Sequence, residues 1–364
     1  MSAPLLSIHD LRTYFYSRSK RAFIRSVDGV SLAINQGETL GVVGESGCGK
    51  SVTALSVMGL ITAAPGVIQG RIDFDNGKIQ RNLLEGVDRQ VRLTEENGRI
   101  MGVVKEKGRW QRQSDQLQKG IRGGEIAMIF QNPKSSMNPY EPVGEQIVEA
   151  VRLHTPHKGK KEAEERAMQW LERVRIDSPR LRFHNHPFGL SGGMCQRAMI
   201  AMALAAEPSL LIADEPTTGL DATIQSKIVD LLAELKGEIG ITTMLISHDM
   251  GVIGRLSDRV AVMYGGRVVE EGPAPLVLAG GEGNHPYTRA LIASIPGEEE
   301  VRQKSYLQAI DGDVLDTINI PAGCRFYSRC NRVTDGVRER CAGCEPELME
   351  TANGQRVRCW LFAK

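Results

Sequence analysis

Eight residues, GESGCGKS from Gly44 to Ser51, set three glycines, a lysine and a hydroxyl at the spacing G-x-x-x-x-G-K-S. Glycines at 44, 47 and 49 let the backbone curl until its N–H groups face phosphate oxygens, and the helix expected to follow adds its positive N-terminus. Lys50 is placed to reach β- and γ-phosphates, and the Ser51 hydroxyl to take a position on Mg²⁺. A second run, LLIADEP, is an apolar stretch that ends on Asp214 and Glu215. Asp214 suits a metal held through water, and Glu215 suits polarisation of an attacking water. A third group has different chemistry. GCRFYSRCNRVTDGVRERCAGCEPEL carries Cys324, Cys330, Cys341 and Cys344, and Cys359 follows, so five of the seven cysteines fall in the last 41 residues.

These groups need elements to hold them. SLAINQGETLGVVGESGCGKS reads as an apolar strand running into the glycine loop, and VTALSVMGLI has helical periodicity. PSLLIADEP and ITTMLISHD read as strands apolar on both faces, which suits a buried parallel sheet. Helical patterns between them predict an α/β architecture with helices covering the sheet. The segment from about 70 to 124 is polar and aperiodic and reads as a surface insertion, part of it a hairpin. The charged block from Val143 to about Val174 reads as peripheral helices, and PGEEEVRQKS as a linker.

Composition narrows the class. The chain has 364 residues, 41% hydrophobic and 24% charged, as in a globular protein of two domains or one domain with an appendage. Lys plus Arg number 45 against 44 Asp plus Glu, which argues against a broad nucleic-acid surface. The start, MSAPLLSIHDLR, meets charge too early for a secretion signal, and the most apolar run is broken by Glu207 and Pro208. The expectation is a cytosolic chain, where thiols stay reduced.

LSGGMCQR, Leu190 to Arg197, resembles the signature motif of ATP-binding-cassette ATPases and lies upstream of LLIADEP as in that family. Met194 stands where the motif usually has glutamine. The resemblance implies a P-loop nucleotide-binding domain over 1–296, with a RecA-like core, an antiparallel β subdomain and a helical subdomain at about 132–195. It implies ATP and Mg²⁺ bound by Gly44, Glu45, Ser46, Gly47, Cys48, Gly49, Lys50, Ser51 and Val52, with Gln131 of IFQNP as the loop glutamine. Asp214 holds the metal, Glu215 and His248 of LISHD act in catalysis with Lys50 and Gln131, and Asp221 of TTGLD bridges a dimer. Ser191, Gly192 and Gly193 grip the γ-phosphate on a partner's P-loop. Tyr14 or Phe15 resembles the adenine-stacking aromatic, and Phe15 is preferred, with a core role for it equally open.

HPYTRALIASIP, His285 to Pro296, and IFQNPKSSMNP resemble stretches in ATPases of the dipeptide, oligopeptide and nickel permeases. That resemblance implies an importer ATPase on the cytoplasmic face of the membrane. Its expected partners are a paralogous ATPase, two membrane permease subunits and an extracytoplasmic solute-binding protein, with no nucleic acid. Peptides are the expected cargo; nickel or another small solute, a homodimer, and a soluble cassette acting on DNA or ribosomes are the alternatives. The tail over 297–364 reads as a small Cys-rich unit. Thiol spacing leaves open Zn²⁺ and an iron–sulfur cluster. The resemblance favours a [4Fe–4S] cluster on Cys324, Cys330, Cys341 and Cys359, with Cys344 as an extra thiol.

Overall fold

The computed structural model describes residues 3–96, 99–156, 159–294 and 310–363. The linker expected around PGEEEVRQKS lies outside them. Fourteen strands form three sheets among these residues. The central sheet has the order β13-β14-β12-β11-β3-β10-β9-β8. Its middle is β3 (Thr39–Val43), β8 (Ile126–Ile129), β9 (Leu210–Asp214), β10 (Thr242–Ile246) and β11 (Arg259–Tyr264), all parallel. The side chains of these strands alternate between two cores. Val43, Ile129, Ala213, Leu245 and Val262 face one, and Val42, Met128, Ile212, Met244 and Ala261 face the other. A strand buried on both faces needs apolar residues at every position, which is why these runs show no polar alternation.

The first core is closed by helices Val143–His154, Lys160–Arg173 and Gly192–Leu204. In the second of these, Ala163, Ala167, Trp170 and Leu171 are buried at helical spacing while the charges face solvent. The second core is closed by helix Lys50–Val57 and by an antiparallel sheet ordered β2-β1-β4-β5. That sheet comprises β1 (Leu6–Ser17), β2 (Ala22–Ile34), β4 (Pro65–Asp75) and β5 (Gln80–Asn82). Within the segment from about 70 to 124, the end of β4 and all of β5 belong to this sheet. Past them come the hairpin of β6 (Val91–Glu96) with β7 (Arg99–Lys105), and helix Lys107–Gln118.

The cysteine-rich tail is stitched to the central sheet. β12 (Arg267–Pro273) pairs with β14 (Arg356–Val357), which pairs with β13 (Met349–Glu350). Buried Glu270 of β12 accepts from Asn284 Nδ2 (2.6 Å), the His285 N–H (2.8 Å) and Gln355 Nε2 (3.1 Å). No helix among the described residues is long and apolar enough to cross a membrane.

Candidate active site

Four neighbouring parallel strands, β8, β9, β10 and β3, each deliver one piece of the site just past their C-terminal ends. Gln131 follows β8, Asp214 and Glu215 end β9, His248 follows β10, and the glycine loop follows β3. Ligand sites in open α/β sheets fall at this end because loops from adjacent strands converge there.

The loop needs its glycines. A Cβ on Gly44 (φ +148°) would lie 2.2 Å from the Met263 carbonyl oxygen, whereas at Gly47 (φ +82°) it would meet nothing within 4 Å. The first glycine permits close packing on β11, and the second leaves a cradle that phosphate can enter. Helix Lys50–Val57 starts at the loop's end. Buried Lys50 donates from Nζ to the Gly44 carbonyl (2.7 Å) and the Glu45 carbonyl (3.1 Å), and the Cys48 N–H donates to the Glu45 carbonyl (3.3 Å).

Ser51 Oγ donates to Asp214 Oδ1 at 2.9 Å. A hydroxyl and a carboxylate oxygen side by side are hard donors suited to Mg²⁺. Burial, with the Glu215 charge adding to it, pushes the Asp214 carboxyl up, while Ser51 and Lys50 pull it down. A divalent cation would compete with that proton. The residues thus fit both a nucleotide phosphate chain and its metal.

Glu215 sits at φ +48°, and its N–H donates to the Ile246 carbonyl (2.9 Å). Its carboxylate accepts from Gln131 Nε2 (2.9 Å) and Thr218 Oγ1 (2.8 Å), and His248 Nδ1 lies 3.4 Å away. Gln131, Glu215 and His248, 117 residues apart at the extremes, therefore meet at one point. Thr218 was missed, although its place three residues after Glu215 signalled it. A carboxylate so oriented in a left-handed turn can accept a proton from water.

Ser191 caps helix Gly192–Leu204, its side chain accepting from the Met194 N–H, and is exposed. Gly193 packs against Ile224 of helix Ala222–Ile239, which Asp221 caps through the Ile224 N–H (2.9 Å). Tyr14 is buried with its hydroxyl on Asp28, so it cannot stack on a base; Phe15 is half-buried.

In the tail, the Cys324 N–H donates to the Cys341 carbonyl (2.8 Å). Burial pushes the Cys324 thiol up to about 12 and the Cys359 thiol up to about 11, and the neighbouring thiols among Cys330, Cys341, Cys324 and Cys359 add to this. Cys344 is exposed and stands apart from that set, its thiol directed to the Glu345 carbonyl. Among the described residues, however, no group of three or more His, Cys, Asp or Glu side chains is arranged to hold a metal ion. Cys324, Cys330, Cys341 and Cys359 are thus neighbouring thiols that do not form a ligand arrangement.

Fold and site together define an ATPase of the ATP-binding-cassette class. Residues 27–218 match the family described as ABC transporter, and residues 269–336 match the oligopeptide/dipeptide transporter C-terminal region. The chain belongs to the ABC transporter ATPase family, in the branch with that C-terminal region. It is 42% identical over 98% of its length to a probable peptide ABC transporter ATP-binding protein of Sinorhizobium fredii, covering 94% of that protein. It is 39% identical, over 98% of its length and 97% of the relative, to the oligopeptide transport ATP-binding protein AppD of Bacillus subtilis. Among solved structures it resembles a dimeric ATP-binding cassette in a post-hydrolysis state bound to ADP and Pi. That match has a TM-score of 0.57 and 25% identity, and covers 74% of this chain and 98% of the other.

Proposed function

We propose that the chain is the ATP-hydrolysing subunit of an importer for dipeptides and oligopeptides, peripheral to the cytoplasmic face of the membrane. The observation that carries this is the C-terminal region match joined to an intact hydrolytic site in one chain. Lys50 and the loop from Gly44 to Val52 bind the ATP phosphates, and Ser51 with Asp214 holds Mg²⁺, which supplies charge neutralisation when bound. Phe15 stacks on adenine. Glu215 orients the attacking water, with Gln131, Thr218 and His248 fixing its carboxylate. The exposed Ser191, with Gly192 and Gly193, faces outward to a partner's nucleotide, and Asp221 lies beside it at the same helix junction. The active form is a closed pair of cassettes, with a paralogous ATPase as the second, docked on two permease subunits fed by an extracytoplasmic binding protein.

We also assign Cys324, Cys330, Cys341 and Cys359 as ligands of a [4Fe–4S] cluster, with Zn²⁺ as the alternative. Support comes from the proximity of the four thiols, the burial of Cys341 and Cys359, and the exposed position of Cys344. When bound, such a group supplies a structural cross-link in a tail with little apolar material.

Uptake of labelled tripeptide and of Ni²⁺ by cells carrying and lacking the chain tests the cargo. Peptide uptake lost with Ni²⁺ uptake intact is expected; the reverse overturns the peptide reading.

A further inference from the structure

The HPY segment and the tail meet the catalytic apparatus at one residue. The Glu45 N–H donates to Tyr287 Oη at 2.8 Å. Its carboxylate takes a two-pronged contact from Arg329, Nη1 to Oε2 at 2.7 Å and Nη2 to Oε1 at 3.0 Å. Its carbonyl accepts from Lys50 Nζ and the Cys48 N–H, both within the glycine loop. Every polar group of Glu45 is thus engaged, the outer ones by residues 242 and 284 positions away.

Both anchors are themselves fixed. The Tyr287 side chain is fully buried, with ring centroids 4.6 Å from Tyr264 and 5.4 Å from Phe326. The helix Pro286–Ala293 that carries it is capped by His285, whose Nδ1 accepts from the Tyr287 N–H (3.0 Å). The Arg329 side chain is 3% exposed, and its Nε donates to the Asp311 carbonyl (2.9 Å). Its guanidinium also lies 5.9 Å from the Phe326 ring centroid.

A loop with three glycines at positive φ has much backbone freedom to lose when it closes on a phosphate chain. Holding it in shape beforehand removes that loss from the binding step. The geometry points to Tyr287 and Arg329 as positioning residues for nucleotide binding, acting through Glu45 on Lys50 and Cys48. This gives the HPY segment and the tail a role in ATP affinity that is separate from the choice of cargo.

The test measures MgADP binding to the full-length chain by calorimetry, with ATPase kinetics alongside. If the competent loop shape falls to about a tenth of the population, affinity falls about tenfold. Arg329→Met and Tyr287→Phe are each expected to show that loss, appearing in KM rather than kcat. Arg329→Lys, which keeps the charge but not the fork, is expected to recover part of it. Glu45→Gln combined with Arg329→Met should bind no more weakly than the weaker single variant, because both break one contact. Losses that multiply to about a hundredfold, or single variants with wild-type affinity, overturn the proposal. Tyr287→Phe removes one oxygen from an intact buried ring and decides the matter if Arg329→Met does not fold.

Discussion

Replacing Arg325 by Met tests how the tail is held on the cassette. The Arg325 side chain is 3% exposed and donates to Asp28 Oδ2 (2.5 Å), the Gly265 carbonyl (2.5 Å) and Glu345 Oε1 (2.8 Å). The Asp28 side chain is wholly buried, and Arg325 and Arg25 hold its carboxyl well below the usual carboxylate range. Removing one partner of a buried pair costs about 3–5 kcal/mol, because a charge is left without compensation. Asp28 would keep Arg25 at 2.7 Å and the Tyr14 hydroxyl, so the lower end, about 3 kcal/mol, applies. Read as local opening, that is about a hundredfold faster amide exchange. Exchange mass spectrometry should show this in peptides spanning 322–331 and 349–358, with the signature helix Gly192–Leu204 unchanged. Tail protection within about threefold of wild type would refute the reasoning, and sheet pairing through β14 would then suffice to hold the tail.

Glu215→Gln should retain ATP and lower turnover by about 10²–10⁴-fold, since the water loses its base while phosphate contacts persist; undiminished phosphate release counts against the role. Lys50→Ala should instead weaken nucleotide binding, read by the same calorimetry. His285 is fully buried, and desolvation lowers its imidazole to about 3 from an ordinary 6.5. Its neutral form is built into the fold, so stability is complete above about pH 6.5 and falls as pH drops toward 3, because the unfolded chain takes up the proton first. Melting temperature against pH should show that loss in the wild type and less of it in His285→Asn. Anaerobically purified chain should contain about four irons and absorb broadly near 400 nm, and Cys344→Ser should keep both while Cys341→Ser loses them. Stoichiometric zinc without iron would eliminate the cluster.

The contiguous parts of the site were legible in the chain because their chemistry is local. A glycine loop, the lysine and hydroxyl beside it and an apolar strand ending in two carboxylates state both their backbone shape and their ligand. The placement of Tyr14 and Phe15 was harder to read. Strand alternation would bury only one of Thr13 and Tyr14, yet both are buried, because a register shift between Thr13 and Phe15 breaks the alternation. A β-bulge of this kind leaves no periodic trace in the sequence.

From sequence alone came the class of enzyme, the glycine loop with its lysine, the strand ending in two carboxylates and the cysteine clustering, since each rests on residues near one another along the chain. Only the tertiary structure decided what the tail does to the cassette. Arg325 finds Asp28 from 297 residues away, and Arg329 finds Glu45 from 284. Before folding, each arginine has water and many carboxylates as equal partners. The pairing is selected when β14 docks on β12 and burial excludes solvent, which makes one carboxylate the favourable neighbour and every other arrangement costly.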